Sequence, residues 1–157
     1  MSKNYINIYN NLIKFTRNKL LYKNTNVEED FSIRLTMYLI HFAFFLKEYK
    51  SKNQKKELQD IYDYNFRQLE ISIREIGYGD VSINKKMKDY LNLFHKIILD
   101  LDKWESYQTQ EKASFFSNII SNKVNSSFFI EYFENYQIFL KKNSLNSFVN
   151  NILDFKN

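Results

Sequence analysis

The chain contains no cysteine. That absence excludes disulfides, thiolate nucleophiles, iron–sulfur clusters and cysteine-ligated zinc, and it leaves the redox compartment open. Proline is also missing, and there are two glycines, Gly77 and Gly79. Proline breaks a helix by removing an N–H and clashing with the preceding turn, and glycine weakens one through backbone entropy. A chain nearly free of both suits long helices. Histidine is scarce, with His41 and His95 only. No glutamate stands three residues before either, there is no paired-histidine metal motif, and no Ser–His–Asp signature is visible. The expectation is a protein with no catalytic residue, no metal and no cofactor, hence not an enzyme. No apolar run is long enough to span a bilayer; the longest, residues 35–46, contains His41. Residues 1–22 lack the apolar core and small-residue cleavage site of a secretory signal. They are acid-poor and amphipathic like a mitochondrial presequence, yet they favour Lys, Asn and Tyr over Arg and Ser.

The chain's 157 residues suit one domain, here taken as 1–157, and a domain of this size buries roughly 70% of its unfolded surface. Its 44% hydrophobic content fits a globular protein. The net charge of +5 is uneven: residues 1–27 carry Lys3, Lys14, Arg17, Lys19 and Lys23 with no acid, and the remainder is close to balance. A basic end of this kind can lie on an anionic membrane or on RNA, or can be a solvated helix face.

Helical periodicity predicts an all-α fold, a compact bundle of about six to seven helices. The expected helices are 5–22, one beginning after Asn26 and running past residue 46, 54–76, one begun by Ser82 or Asp80 and running to 101, 110–123, 128–142 and 145–155. Asn26 with Glu29 forms a capping-box pattern, and Thr109 and Ser127 are further candidate caps. The second helix is apolar on nearly every side and is expected at the centre. Gly77 fits the left-handed residue that closes many helices.

Several constellations could carry function. Arg34 and His41 are seven apart and share a helical face. Asp63, Arg67, Glu70 and Arg74 form a stripe of alternating sign on the third helix, flanked by apolar residues, while Asn65, Gln68, Ser72 and Glu75 look like its solvent face. Two readings stand side by side. Either Arg34 and His41 meet Asp63 or Glu70 in a semi-buried network, or the stripe is simply solvated. The turn carrying Gly77, Gly79 and Asp80 could cradle an anion, but the dinucleotide glycine pattern is incomplete, and a tight structural turn explains it as well. Lys85, Lys86 and Lys88 follow as a small basic patch. Twelve tyrosines could suit RNA, although the aromatics mostly fall at core spacing. A groove lined by Tyr38, Phe42 and Phe45 could shield a client's apolar segment.

These runs resemble a known family. Residues 34–41 (RLTMYLIH), Asp63 and Glu70, residues 73–80 (IREIGYGD) and residues 81–88 (VSINKKMK) are similar to the ubiquinol–cytochrome c chaperone family, and residues 17–22 (RNKLLY) look like its start. The resemblance covers residues 9–101. Departures are Glu70 for the usual Asp, Lys19 and Asn84 where proline is frequent, and His95-Lys96 for a Gly-Arg pair. The resemblance implies a helical assembly factor for the cytochrome bc1 complex. Its client would be cytochrome b or another bc1 subunit, with peripheral membrane contact, a ribosome or small partner chaperone as further partners, and no DNA. The short length looks bacterial, implying the cytoplasm or the inner-membrane surface, or the mitochondrial matrix side in a eukaryote. Arg34, His41, Asp63, Glu70, Arg74, Glu75, Gly77, Gly79, Asp80 and Lys88 would be its recognition or structural residues, and Lys14, Arg17, Lys85 and Lys86 a basic surface. The alternative reading is a basic RNA- or ribosome-binding protein using Lys3, Lys14, Arg17 and the lysines after the turn.

Overall fold

The computed structural model describes residues 5–23, 25–50 and 54–156. Among them are seven α-helices and no strand: α1 (Ile6–Thr16), α2 (Phe31–Lys50), α3 (Lys55–Glu75), α4 (Asp80–Leu101), α5 (Thr109–Ile119), α6 (Ser126–Lys142) and α7 (Leu145–Asn150). Short 3-10 turns cover Lys19–Leu21 and Trp104–Ser106. The all-α expectation holds.

α2 is the central post, as its unbroken apolar sequence predicts. Every residue from Leu35 through Phe45 is buried, and α1, α3, α4 and α6 all pack on it. Its aromatics interlock with the neighbours: Phe42 stacks on Phe94 of α4 at 5.3 Å, and Phe44 stacks on Phe133 of α6 at 5.2 Å. Trp104 meets Phe44 edge-on at 5.3 Å. Truncating such a ring to alanine costs about 3–5 kcal/mol. The aromatics therefore serve mainly as packing.

The helix ends differ from expectation where short polar side chains intervene. α1 stops at Thr16 because Asn18 captures the Leu20 N–H at 3.0 Å, turning the chain into a 3-10 turn. α2 begins at Phe31. Its cap is Asp30, whose carboxylate accepts the Ile33 N–H at 2.9 Å; Asn26 instead occupies a turn at φ 59°. α4 begins at Asp80 with Gly79 as cap, so neither Ser82 nor Asp80 caps it. Gln108 and Asn125 precede α5 and α6 in place of Thr109 and Ser127. α7 ends at Asn150 because buried Asn11 seizes the following backbone, donating to Asn151 O at 2.8 Å and accepting from Leu153 N at 2.6 Å.

The α3–α4 turn uses its two glycines differently. Gly77 has φ 105°, where a side chain is strained, whereas Gly79 has φ −74° and open space around a would-be Cβ. Gly77→Ala is expected to destabilise by about 1 kcal/mol. Gly79→Ser, which adds a favoured cap, should be neutral or stabilise by a few tenths of a kcal/mol. Urea unfolding of the two variants checks this; equal losses would contradict it.

Candidate functional site

The expected residues divide between the inside and the outside of the bundle. His41 lies at full burial, 0% exposed, in the middle of α2. Its Nδ1 is 2.6 Å from Met37 O and its Nε2 is 2.7 Å from the Tyr132 hydroxyl. A carbonyl can only accept, so Nδ1 carries the proton, and the Tyr132 O–H must donate to Nε2. Tyr136 donates to the His41 carbonyl at 3.0 Å, and the rings of Phe133 and Tyr136 stand edge-on to the imidazole at 4.9 Å. Burial lowers the His41 pKa from 6.5 to about 4, partly opposed by the bond to Met37. The imidazole is a neutral structural node joining α2 and α6.

The charged residues sit elsewhere. Arg34 is exposed at the other end of the face it shares with His41, and Asp63, Arg67, Glu70 and Arg74 run along the outside of α3. Asp63 accepts from Gln59 at 3.0 Å, and Glu70 pairs with Arg74 at 3.6 Å. The semi-buried network from Arg34 and His41 to Asp63 or Glu70 is thus absent. Burying those charges would require full mutual pairing, and the aromatic packing around α2 leaves no polar space for it. Arg74 reaches across the double-glycine turn to Asp80 at 2.6 Å, which raises the arginine's pKa and ties the end of α3 to the start of α4. Glu75, Lys85 and Lys88 are exposed, and Lys86 lies 4.5 Å from the Tyr78 ring centre. Lys14 pairs with Asp154 and Lys19 with Glu29. Lys3 lies outside the described residues.

The α2–α3 contact is made by a residue assigned to the solvent face from sequence. Asn65 is fully buried, accepts from the Tyr38 hydroxyl at 2.5 Å and donates to Ile61 O at 2.8 Å. The signal was its spacing: Ile61, Asn65, Leu69 and Ile73 repeat every four residues on the buried side of α3. The proposed groove is also corrected, since Phe42 and Phe45 are closed into the core at 0% exposure. Tyr38 instead contributes to a separate cleft of about 230 Å³ between α1, α2 and α3, lined also by Arg17 and Arg34.

One feature of the outer surface is apolar. Around the α3–α4 turn, Ile76 is 51%, Tyr78 38% and Val81 86% exposed. Among the described residues no helix is long and apolar enough to cross a membrane, and no cluster of His, Cys, Asp and Glu could hold a metal.

Comparison with known families decides the affiliation. The family model for the ubiquinol-cytochrome C chaperone matches residues 23–125, more than half of the chain. The chain belongs to the ubiquinol-cytochrome C chaperone family. The match takes in α2, α3, the double-glycine turn, α4 and α5, so both the His41 post and the exposed apolar turn lie within it. No curated protein and no solved structure matches the chain.

The neutral imidazole has a consequence in acid. Unfolding exposes His41 to its ordinary pKa of 6.5, so below that pH the unfolded chain binds a proton that the folded one refuses until about pH 4. Stability should therefore fall as pH drops through this window, by about 3 kcal/mol from this group. His41→Gln, which cannot titrate, should lose that share of the slope in urea titrations between neutral pH and pH 4. An unchanged slope would contradict the assignment.

Proposed function

We propose that this protein is a non-enzymatic assembly factor that holds a subunit of the cytochrome bc1 complex, newly made cytochrome b in the first place, until its partners arrive. Family membership carries this reading. The site that supports it physically is the α3–α4 turn. Three large apolar side chains stand in water there within six residues, on a bend fixed by Gly77 and by the Arg74–Asp80 pair. Exposed apolar groups grouped at one bend suit transient contact with an apolar segment of a client. The flanking Lys85, Lys86 and Lys88 would meet the acidic or membrane-proximal parts of such a client. On this reading the protein works in the bacterial cytoplasm, peripherally at the inner membrane, beside a ribosome or a small partner chaperone and with no bound cofactor.

The RNA-binding alternative draws less support. Lys14 and Lys19 of the basic first segment already have carboxylate partners, and the large rings that would stack on bases are mostly inside the core.

Deleting the gene and recording difference spectra of membrane cytochromes tests the role. Loss of the b-type and c1 signals is expected, and normal levels would overturn it. At residue level, Ile76→Asp with Val81→Asp alters only exposed positions and should change stability by about 1 kcal/mol or less in sum. The same variant should fail to restore cytochrome b in the deletion strain. Full rescue would place the client contact elsewhere.

A further inference from the structure

The cleft between α1, α2 and α3 has a charge pattern that the bundle itself does not use. Arg17, just past the end of α1, and Arg34, in the first turn of α2, both line it, while Ile13, Phe31, Leu35 and Leu69 give it apolar walls. Among the described residues neither guanidinium forms an ion pair. Their neighbours contrast with them: Lys14 has Asp154 and Lys19 has Glu29. The acids that could have served the arginines are engaged elsewhere. Asp30, one turn before Arg34, caps α2, and Glu70 on α3 pairs with Arg74. Two guanidiniums on one apolar cleft, with no carboxylate between them, are suited to a planar or tetrahedral anion carried on an apolar body.

We propose that this cleft binds one acidic phospholipid of a bilayer, its phosphate held by Arg17 and Arg34 and the first carbons of an acyl chain against the apolar walls. The size favours this occupant. About 230 Å³ admits a phosphate and several carbons. The rim favours it too. Leu20 is 47% exposed in the turn after Arg17, flanked by the exposed Lys19 and Lys23, in a segment of 27 residues that carries no acid. An apolar tip set among cations is the surface that an anionic membrane attracts. The inference concerns a different surface from the client contact and stands or falls independently of it.

Flotation of the full chain with vesicles tests the proposal. Vesicles of phosphatidylcholine mixed with phosphatidylglycerol should bind it, and vesicles of phosphatidylcholine alone should bind it about tenfold less or worse. Arg17→Gln with Arg34→Gln should weaken binding to the acidic vesicles about tenfold or more, while the charge-matched Lys123→Gln with Lys141→Gln on the surface of the C-terminal half should weaken it by no more than about threefold. Equal losses in the two double variants would reduce the effect to net charge and overturn the cleft. Short-chain phosphatidylglycerol, kept below micelle formation, should perturb the NMR signals of Leu35 and Leu69 in the wild type only. Equal binding of glycerol phosphate would show a free-phosphate site, and displacement of the lipid by an acidic apolar peptide at lower concentration would show a peptide site; either result would overturn the lipid assignment.

Discussion

A neutral imidazole inside a wall of aromatic rings is the constraint on which the rest of the bundle depends. His41 has two ring nitrogens and no exposed surface, so each must find its complement in the protein. Met37 O takes one, within α2 itself, and the Tyr132 hydroxyl of α6 supplies the other. Two helices far apart in sequence, α2 and α6, are thereby tied to one another by a buried hydrogen bond. Asn18, for its part, turns the chain after α1 by holding the Leu20 N–H. Nondirectional packing of rings such as Phe44, Phe133 and Trp104 surrounds this node, and the histidine's hydrogen bonds add direction to it.

Two other polar anchors work in the same way. Asn65 joins α3 to Tyr38 of α2, and Asn11 pins the segment after α7 against α1. With the interior settled by these few bonds, the charged stripe of α3 is left to solvent, and the α3–α4 turn can carry bare apolar residues without disturbing the core. Gly77 lets the chain turn there with a positive φ, and the Arg74–Asp80 pair bridges the two helix ends.

Much of this architecture was legible in the sequence, for physical reasons. The lack of proline and the continuous apolar run of α2 foretold a central helix, and Gly77 foretold the bend. The candidate site was legible in position but less so in its contacts. Arg34 and His41 share a face, yet α2 is long enough that one end of the face is exposed and the middle is sealed, so periodicity could not show that the pair would be separated. Asn65 reads as polar and was placed outside, although its four-residue spacing with Ile61 and Leu69 marked the buried side. Helix ends were missed where an asparagine side chain competed with the backbone ladder, as at Asn18 and Asn11. That competition depends on tertiary neighbours, which no local pattern records.

The most direct test of the account is the protonation state of His41 in the folded protein. Proton–nitrogen correlation NMR of the imidazole, followed as pH is lowered, should show a neutral ring with the proton on Nδ1, persisting well below pH 6.5 and yielding only near pH 4. A ring that titrates near 6.5, or that carries its neutral proton on Nε2, would contradict the hydrogen-bonded node and the structure built around it.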